Sequence, residues 1–243
     1  MTTYAARLEE IRRLTESDVG ARELAADPRG VIGELWARRA EGELTAATTF
    51  SGLYRDCLAF GVDASIAKLC RRAVDDERFH GALSLIIAEH YLGAPVPPPA
   101  PPPPTLRFES CAAEVAPALR FLLHGALNET VAVVYLRQCH REATSLLVRA
   151  AVRELLHDEI DHSRVGWAYV ASAVSRAAVR DSLCRELPAL LAVVSDAWCN
   201  PLTSSAYPAG HGVLSELQTS AVTEEALQTV VLPGLARFGI EPR

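Results

Sequence analysis

Apolar side chains recur along most of this chain every three or four residues, the spacing that gathers them onto one stripe of an α-helix. The breaks in that pattern carry helix start and stop signals. A short helix is predicted near residues 3–16. Asp27-Pro28 supplies a cap and a first-turn proline for a long helix ending near Gly61. A second long helix runs from about Ser65 to Leu92 and stops at Gly93. A third spans about Ala112 to Gln138, with Pro117 kinking it or marking its true start. A fourth runs from about Thr144 to Ser175, and two more follow near 181–199 and 215–237, divided by a loop from Asn200 to Gly212. The expected fold is all-α. One domain covers 1–243, its core lies within 31–175, and the helices from 181 onward pack on that core.

The segment from Ala94 to Thr105 is mostly proline and cannot be helical. Extended as polyproline II it reaches roughly 37 Å, the length of a helix of ~25 residues. A strap of that length can carry the chain from one end of a helical bundle to the other, between its second and third long helices. A flexible domain linker is the alternative reading.

Helical phase then sorts the charged residues. The pattern Glu-x-x-His occurs at Glu77/His80, Glu154/His157 and Glu159/His162. At about 100° per residue, Val148, Val152, Leu155, Leu156, Gly166 and Val170 share a face with Glu159 and His162. Glu154 and His157 fall roughly 140° to 160° away, with Arg153, Asp161 and Arg164, so that pair is expected to be solvated. In the second helix Ile66, Cys70, Ala73, Val74, Gly81, Ser84, Ala88 and Tyr91 cluster around Glu77 and His80, while Arg71, Asp75, Phe79 and Glu89 lie elsewhere. Each motif follows a helix carrying one inward Glu. Ile32, Trp36, Ala47, Phe50, Tyr54 and Cys57 surround Glu43, and Glu34 and Glu41 point away. Leu122, Gly125, Ala126, Val133 and Leu136 surround Glu129.

A charged Glu among apolar side chains is expensive without a compensating partner. Four such carboxylates and two imidazoles on facing helices balance and ligate two divalent cations. Glu43, Glu77, His80, Glu129, Glu159 and His162 are therefore the candidate catalytic and metal-binding residues. Their oxygen and nitrogen donors suit iron or manganese; no thiolates are called for. The Glu-to-Glu separations, 34 residues from Glu43 to Glu77 and 30 from Glu129 to Glu159, make the set an internal repeat. Asp76 and Asp158 each precede a motif Glu. Each is expected to accept a hydrogen bond from a metal-bound imidazole; a plain surface Asp is the alternative.

Composition narrows the remaining choices. The 243 residues are 49% apolar and carry a formal charge of −6, which leaves no basic face for nucleic acid. No apolar run approaches a membrane span. Residues Met1 to Leu14 mix Arg and Glu and lack an apolar signal core, so a cytoplasmic protein is expected. None of Cys57, Cys70, Cys111, Cys139, Cys184 and Cys199 forms a Cys-x-x-Cys pair, and all read as reduced, buried thiols. Tyr54, Tyr91 and Tyr169 lie near inward faces, as packing or as electron relays. His90, His124 and His211 read as solvated, and His140 as a surface or bundle-end residue. Arg39 is inward by phase, where it can pair with a carboxylate or a substrate acid.

Over residues 31–175 the repeated motif resembles the ferritin-like di-iron carboxylate superfamily. The resemblance implies an antiparallel four-helix bundle with the proline segment as crossover, two irons bridged by carboxylates, and reaction of the reduced site with dioxygen. It departs from bacterioferritins, which use Met to hold haem, because Met1 is the only Met. It lacks the iron–thiolate domain of rubrerythrins. It also has Leu155 where arylamine N-oxygenases carry a third His. The expected function is a di-iron oxygenase or oxidase that hydroxylates, desaturates or N-oxidises a small organic substrate. No nicotinamide or flavin fingerprint occurs, so electrons come from an external donor or a separate reductase. A monomer or homodimer is expected. The alternative is a ferritin- or rubrerythrin-like ferroxidase, iron-storage or peroxide-detoxifying protein, and a purely structural metal site is a third reading.

Overall fold

The computed structural model describes residues 3–99, 108, 112–199 and 208–243. Every regular element among them is helical and none is a strand. In chain order they are α1 (Tyr4–Ser17), α2 (Gly20–Glu23), α3 (Ala26–Ala59), α4 (Ala64–Leu92), α5 (Val115–Arg120), a π-helical segment (Phe121–Asn128), α6 (Glu129–Glu142), α7 (Leu146–Ala173), α8 (Ala177–Cys199), α9 (Glu216–Ala226), a second π segment (Leu227–Val231) and α10 (Leu232–Ala236).

Local chemistry accounts for most boundaries. The Asp63 side chain caps α4 by accepting from Ser65 N at 2.7 Å, and Gly93 ends it at φ 69°, a conformation that glycine adopts without penalty. Ser145 caps α7 by accepting from Val148 N at 3.1 Å. Ser215 and Gln218 form a reciprocal capping box at the start of α9. The α3 start differs from expectation. Ala25 is the N-cap, and Asp27 lies inside the first turn, where its charge faces the positive helix end instead of capping it. Pro117 lies in the first turn of α5, where its missing N–H costs no helical hydrogen bond. The third long helix is not one regular α-helix, because its middle takes the π register up to the residue before Glu129. The Pro-rich crossover expected at 94–105 rests on residues 100–105, which lie outside the described set.

One continuous apolar core joins these elements. α3 packs along α4, α7 packs against α6 and the first π segment, and α4 against α7 joins the two pairs. The backbones of α7 and the π segment touch at two glycines. A methyl group on Gly166 would lie 2.0 Å from the carbonyl carbon of Gly125, so neither position admits a side chain without separating the helices. By contrast α3 and α6 meet through long side chains, with Arg39 Nη2 3.4 Å from the Tyr135 hydroxyl. α1 lies across the outer sides of α4 and α7, while α8 and α9 lie on the α5–α6 side. That placement of α1 corrects the expectation for Phe79, which is buried beneath Tyr4 with ring centroids 5.2 Å apart. Cys57, Cys70, Cys139 and Cys184 are buried free thiols; the side chains of Cys111 and Cys199 lie outside the described set. Among the described residues no helix is long and apolar enough to cross a membrane.

Candidate metal centre

Glu43 comes from α3, Glu77 and His80 from α4, Glu129 from α6, and Glu159 and His162 from α7. Within each Glu-x-x-His motif the three-residue spacing stacks the two side chains on one helix face. The close α4–α7 packing then brings the two motifs together. Glu77, His80, Glu159 and His162 are all buried, and one donor atom from each lies within 4.8 Å of the others, an arrangement that can hold a metal ion. His80 Nδ1 is 3.4 Å from Glu77 and 3.2 Å from Glu159. His162 Nδ1 is 3.0 Å from Glu77 and 3.1 Å from Glu159. Glu43 reaches to 3.8 Å from His80 Nδ1, and Glu129 lines the same cavity wall as Glu159. All six sequence-derived positions thus gather at one locus, with Glu43 and Glu129 on its α3–α6 side.

The two imidazoles turn their other nitrogens away from the cluster. His80 Nε2 lies 3.4 Å from Asp158, and His162 Nε2 lies 3.4 Å from Asp76. The pairing is crossed, because each Asp serves the histidine of the opposite motif. Helical phase explains it. A residue directly before an inward Glu is rotated by about 100°, onto the flank facing the neighbouring helix. Both Asp residues are buried.

A second ring of charge surrounds these carboxylates. Arg7 donates to Asp158 at 2.9 Å and to Glu154 at 2.6 Å. Arg72 approaches Asp76, Asp158 and Asp161 within 3.4 Å. The Tyr4 hydroxyl donates to Asp76, and the Arg7 guanidinium covers the Phe79 ring at 4.1 Å. Sequence reasoning missed Tyr4, Arg7 and Arg72. Their signal was faint: Tyr4 and Arg7 share one face of α1, but nothing local says what that face meets. Glu154 also departs from expectation. His157 is exposed as predicted, whereas Glu154 is held by Arg7. His90 and His211 are not solvated either. His90 pairs with Asp18 at 3.0 Å, and His211 Nδ1 lies 2.7 Å from the Tyr91 hydroxyl. His124 has its Nε2 buried with no hydrogen-bond partner.

The electrostatics divide the carboxylates into two kinds. Burial raises the Glu43 pKa to about 8, helped by the charges of Glu77 and Glu159. Burial likewise raises Glu129 well above the carboxylate range, with Glu159 and Glu77 adding to it. Glu159 moves the other way. Burial opposes its ionisation, but His162 and His80 outweigh that and hold it well below the usual value. Both imidazoles are raised well above theirs: burial works against the charge and the surrounding carboxylates overcome it. Asp158 is held low by His80, His157 and Arg7 against burial, and burial with the Asp76 contact pushes Tyr4 up to about 12. The centre is an excess of carboxylates sharing too few protons, a state that divalent cations relieve. The unpaired atoms agree. Glu77 Oε2 and His80 Nδ1 are buried without a hydrogen-bond partner, although 3.4 Å apart. Two close metal-ligating atoms that do not bond each other fit a shared third group.

The gap between α3 and α6 opens onto this cluster as a cavity of about 710 Å³, lined by Glu43, Glu77, Glu129 and Glu159 at one part of its wall. Trp198 of α8 and Val213, Leu214, Glu216 and Thr219 from the C-terminal part of the chain line it as well. No family model, curated protein or solved structure matches the chain.

Proposed function

We propose that this chain is a di-iron oxygenase or oxidase of the ferritin-like kind, acting on a small organic substrate by hydroxylation, desaturation or N-oxidation. The observation that carries the reading is the meeting of the carboxylate–imidazole cluster with a cavity of about 710 Å³, a volume within the range of small-molecule sites. The four long segments α3, α4, π-α6 and α7 act as the bundle, with residues 94–105 as its crossover.

In this reading Glu77, His80, Glu159 and His162 would hold two irons, with Glu43 and Glu129 completing the set of ligands. Manganese satisfies the same donors. Bound there, iron supplies redox chemistry toward dioxygen, with electrons from an external donor or reductase. The chain's own residues do the rest. Asp158 and Asp76 fix each imidazole with Nδ1 toward the cluster. Arg7 and Arg72 neutralise those two aspartates. Glu43 and Glu129, whose pKa values burial raises, are the carboxylates that would release protons on metal binding. The α3–α6 opening admits the substrate, and α8 with the 208–219 segment covers it from water.

The test is metal analysis followed by reaction. Wild-type protein is expected to bind two irons per chain, and Glu77→Ala and Glu159→Ala to lose them. The reduced, loaded protein is expected to consume dioxygen. Two irons without any oxygen uptake would sink the oxidase reading, and many irons per chain in a large assembly would favour storage.

A further inference from the structure

Arg39 occupies the cavity wall one helical turn before Glu43 on the same helix. Its guanidinium lies over the Trp36 ring at 4.3 Å and near the Tyr135 ring at 5.5 Å. Nη2 donates to Gly212 O at 3.0 Å and approaches the Tyr135 hydroxyl at 3.4 Å. Those contacts fix the group in place yet leave Nη1 buried with no hydrogen-bond partner. Among the described residues no carboxylate oxygen lies within 4.0 Å of it, and the charge of Glu43 and the Cys139 thiol act on it only from its flanks. A buried cationic donor without an acceptor is costly, and here it stands at the edge of a cavity.

We infer that Arg39 is the anchor for the carboxylate of the substrate, which is a small monocarboxylic acid with an apolar or aromatic body. The inference rests on the oxidase reading of the same cavity. The single vacant donor of Arg39 suits a singly charged acceptor better than a phosphate dianion, which calls for more donors; Arg38, which also lines the cavity, is exposed to solvent. The wall beyond Arg39 carries Tyr135, Leu136, Trp198 and Leu214, which fit an apolar body. Position follows from the helix. Arg39 and Glu43 are four residues apart, ~6 Å along the axis. An acid held at Arg39 therefore has its body between that anchor and the cluster. Arg39 is a positioning residue for the substrate, and the cluster carries the chemistry.

The experiment loads wild-type protein with cobalt(II) and titrates it by calorimetry with phenylacetate, its neutral isostere phenylacetamide, and phenyl phosphate, while the visible cobalt bands are followed. The expected result is phenylacetate binding at least about tenfold tighter than phenylacetamide, with the cobalt bands unmoved because the acid sits on Arg39. Arg39→Gln is expected to keep its cobalt and lose the preference for the acid. Equal binding of acid and amide overturns the inference, as does tighter binding of phenyl phosphate, absence of binding by all three, or a preference for the acid that survives in Arg39→Gln. If Arg39→Gln does not fold, the wild-type ratio and its cobalt bands decide. A wild-type chain that takes up no cobalt defeats the metal reading alone, and the acid–amide comparison in that chain still decides on Arg39.

Discussion

The crossed aspartate–histidine contacts give single residues defined roles. Asp158 holds His80 and Asp76 holds His162. An amide at either place keeps the shape and removes the negative charge. Asp158→Asn and Asp76→Asn are expected to fold and to bind iron(II) or cobalt(II) about 10- to 100-fold more weakly, measured against a competing chelator. Unchanged affinity would show that these contacts do not orient metal-bound imidazoles. His124 gives a second residue-scale expectation, away from the cluster. Burial, helped by the nearby Arg120, lowers its pKa to about 4, against about 6.5 in an unfolded chain. The folded state therefore favours the neutral ring. Its contribution is fully present above pH ~6.5 and is lost as the pH falls towards ~4, amounting to at most about 3 kcal/mol. Melting temperatures between these pH values should fall less steeply in His124→Gln than in wild type; parallel curves would refute the assignment.

Helix packing sets where these residues meet. The Gly125–Gly166 contact lets α7 lie against the π segment one turn from both Glu129 and His162. Gly166→Ala must push the two backbones apart. It is expected to cost several kcal/mol, of order 3, and to weaken metal uptake. A melting temperature within a degree or two of wild type would mean that the helices separate freely. At this scale the sequence was most legible in α4 and α7. Both are unbroken α-helices with the motif near the middle, so a constant rotation per residue puts Glu77, His80, Glu159 and His162 on the apolar stripe without any tertiary knowledge. The π segment was not legible. Its register change leaves no mark in the alternation of apolar and polar residues, and Phe121, Leu122, Leu123, Gly125, Ala126 and Leu127 are buried together. The role of α1 was hidden for another reason. Phe79 read as outward because its own helix has a better-defined inner face, and only a partner from the N-terminus covers it. His90 and His211 were misread in the same way, since Asp18 and Tyr91, their partners, belong to other elements.

Across the whole molecule the cluster is a local liability held by the rest of the fold. Without cations, the buried carboxylates and imidazoles of α4 and α7 have only each other and the two aspartates as partners, and Glu77 Oε2 and His80 Nδ1 have no hydrogen-bond partner. Such a group lowers stability relative to neutral side chains of the same size, and the continuous apolar core compensates. Metal binding reverses the sign, because a ligand that binds only the folded chain stabilises it by mass action, about 4 kcal/mol at a thousand times its dissociation constant. For a chain of this size each kcal/mol moves the melting temperature by roughly 2–4 °C, so loading should raise it by about 8–16 °C. The double variant Glu43→Gln/Glu129→Gln separates the two effects. Metal-free, it is expected to melt at or above metal-free wild type, since burial already disfavours a charge at both positions. With metal present it is expected to gain nothing. Calorimetric scans of both proteins, with and without iron(II) under anaerobic conditions, measure all four states. A double variant that melts far below metal-free wild type would mean that the carboxylates are structural partners of the histidines, and that the cluster is built for packing and not for cations.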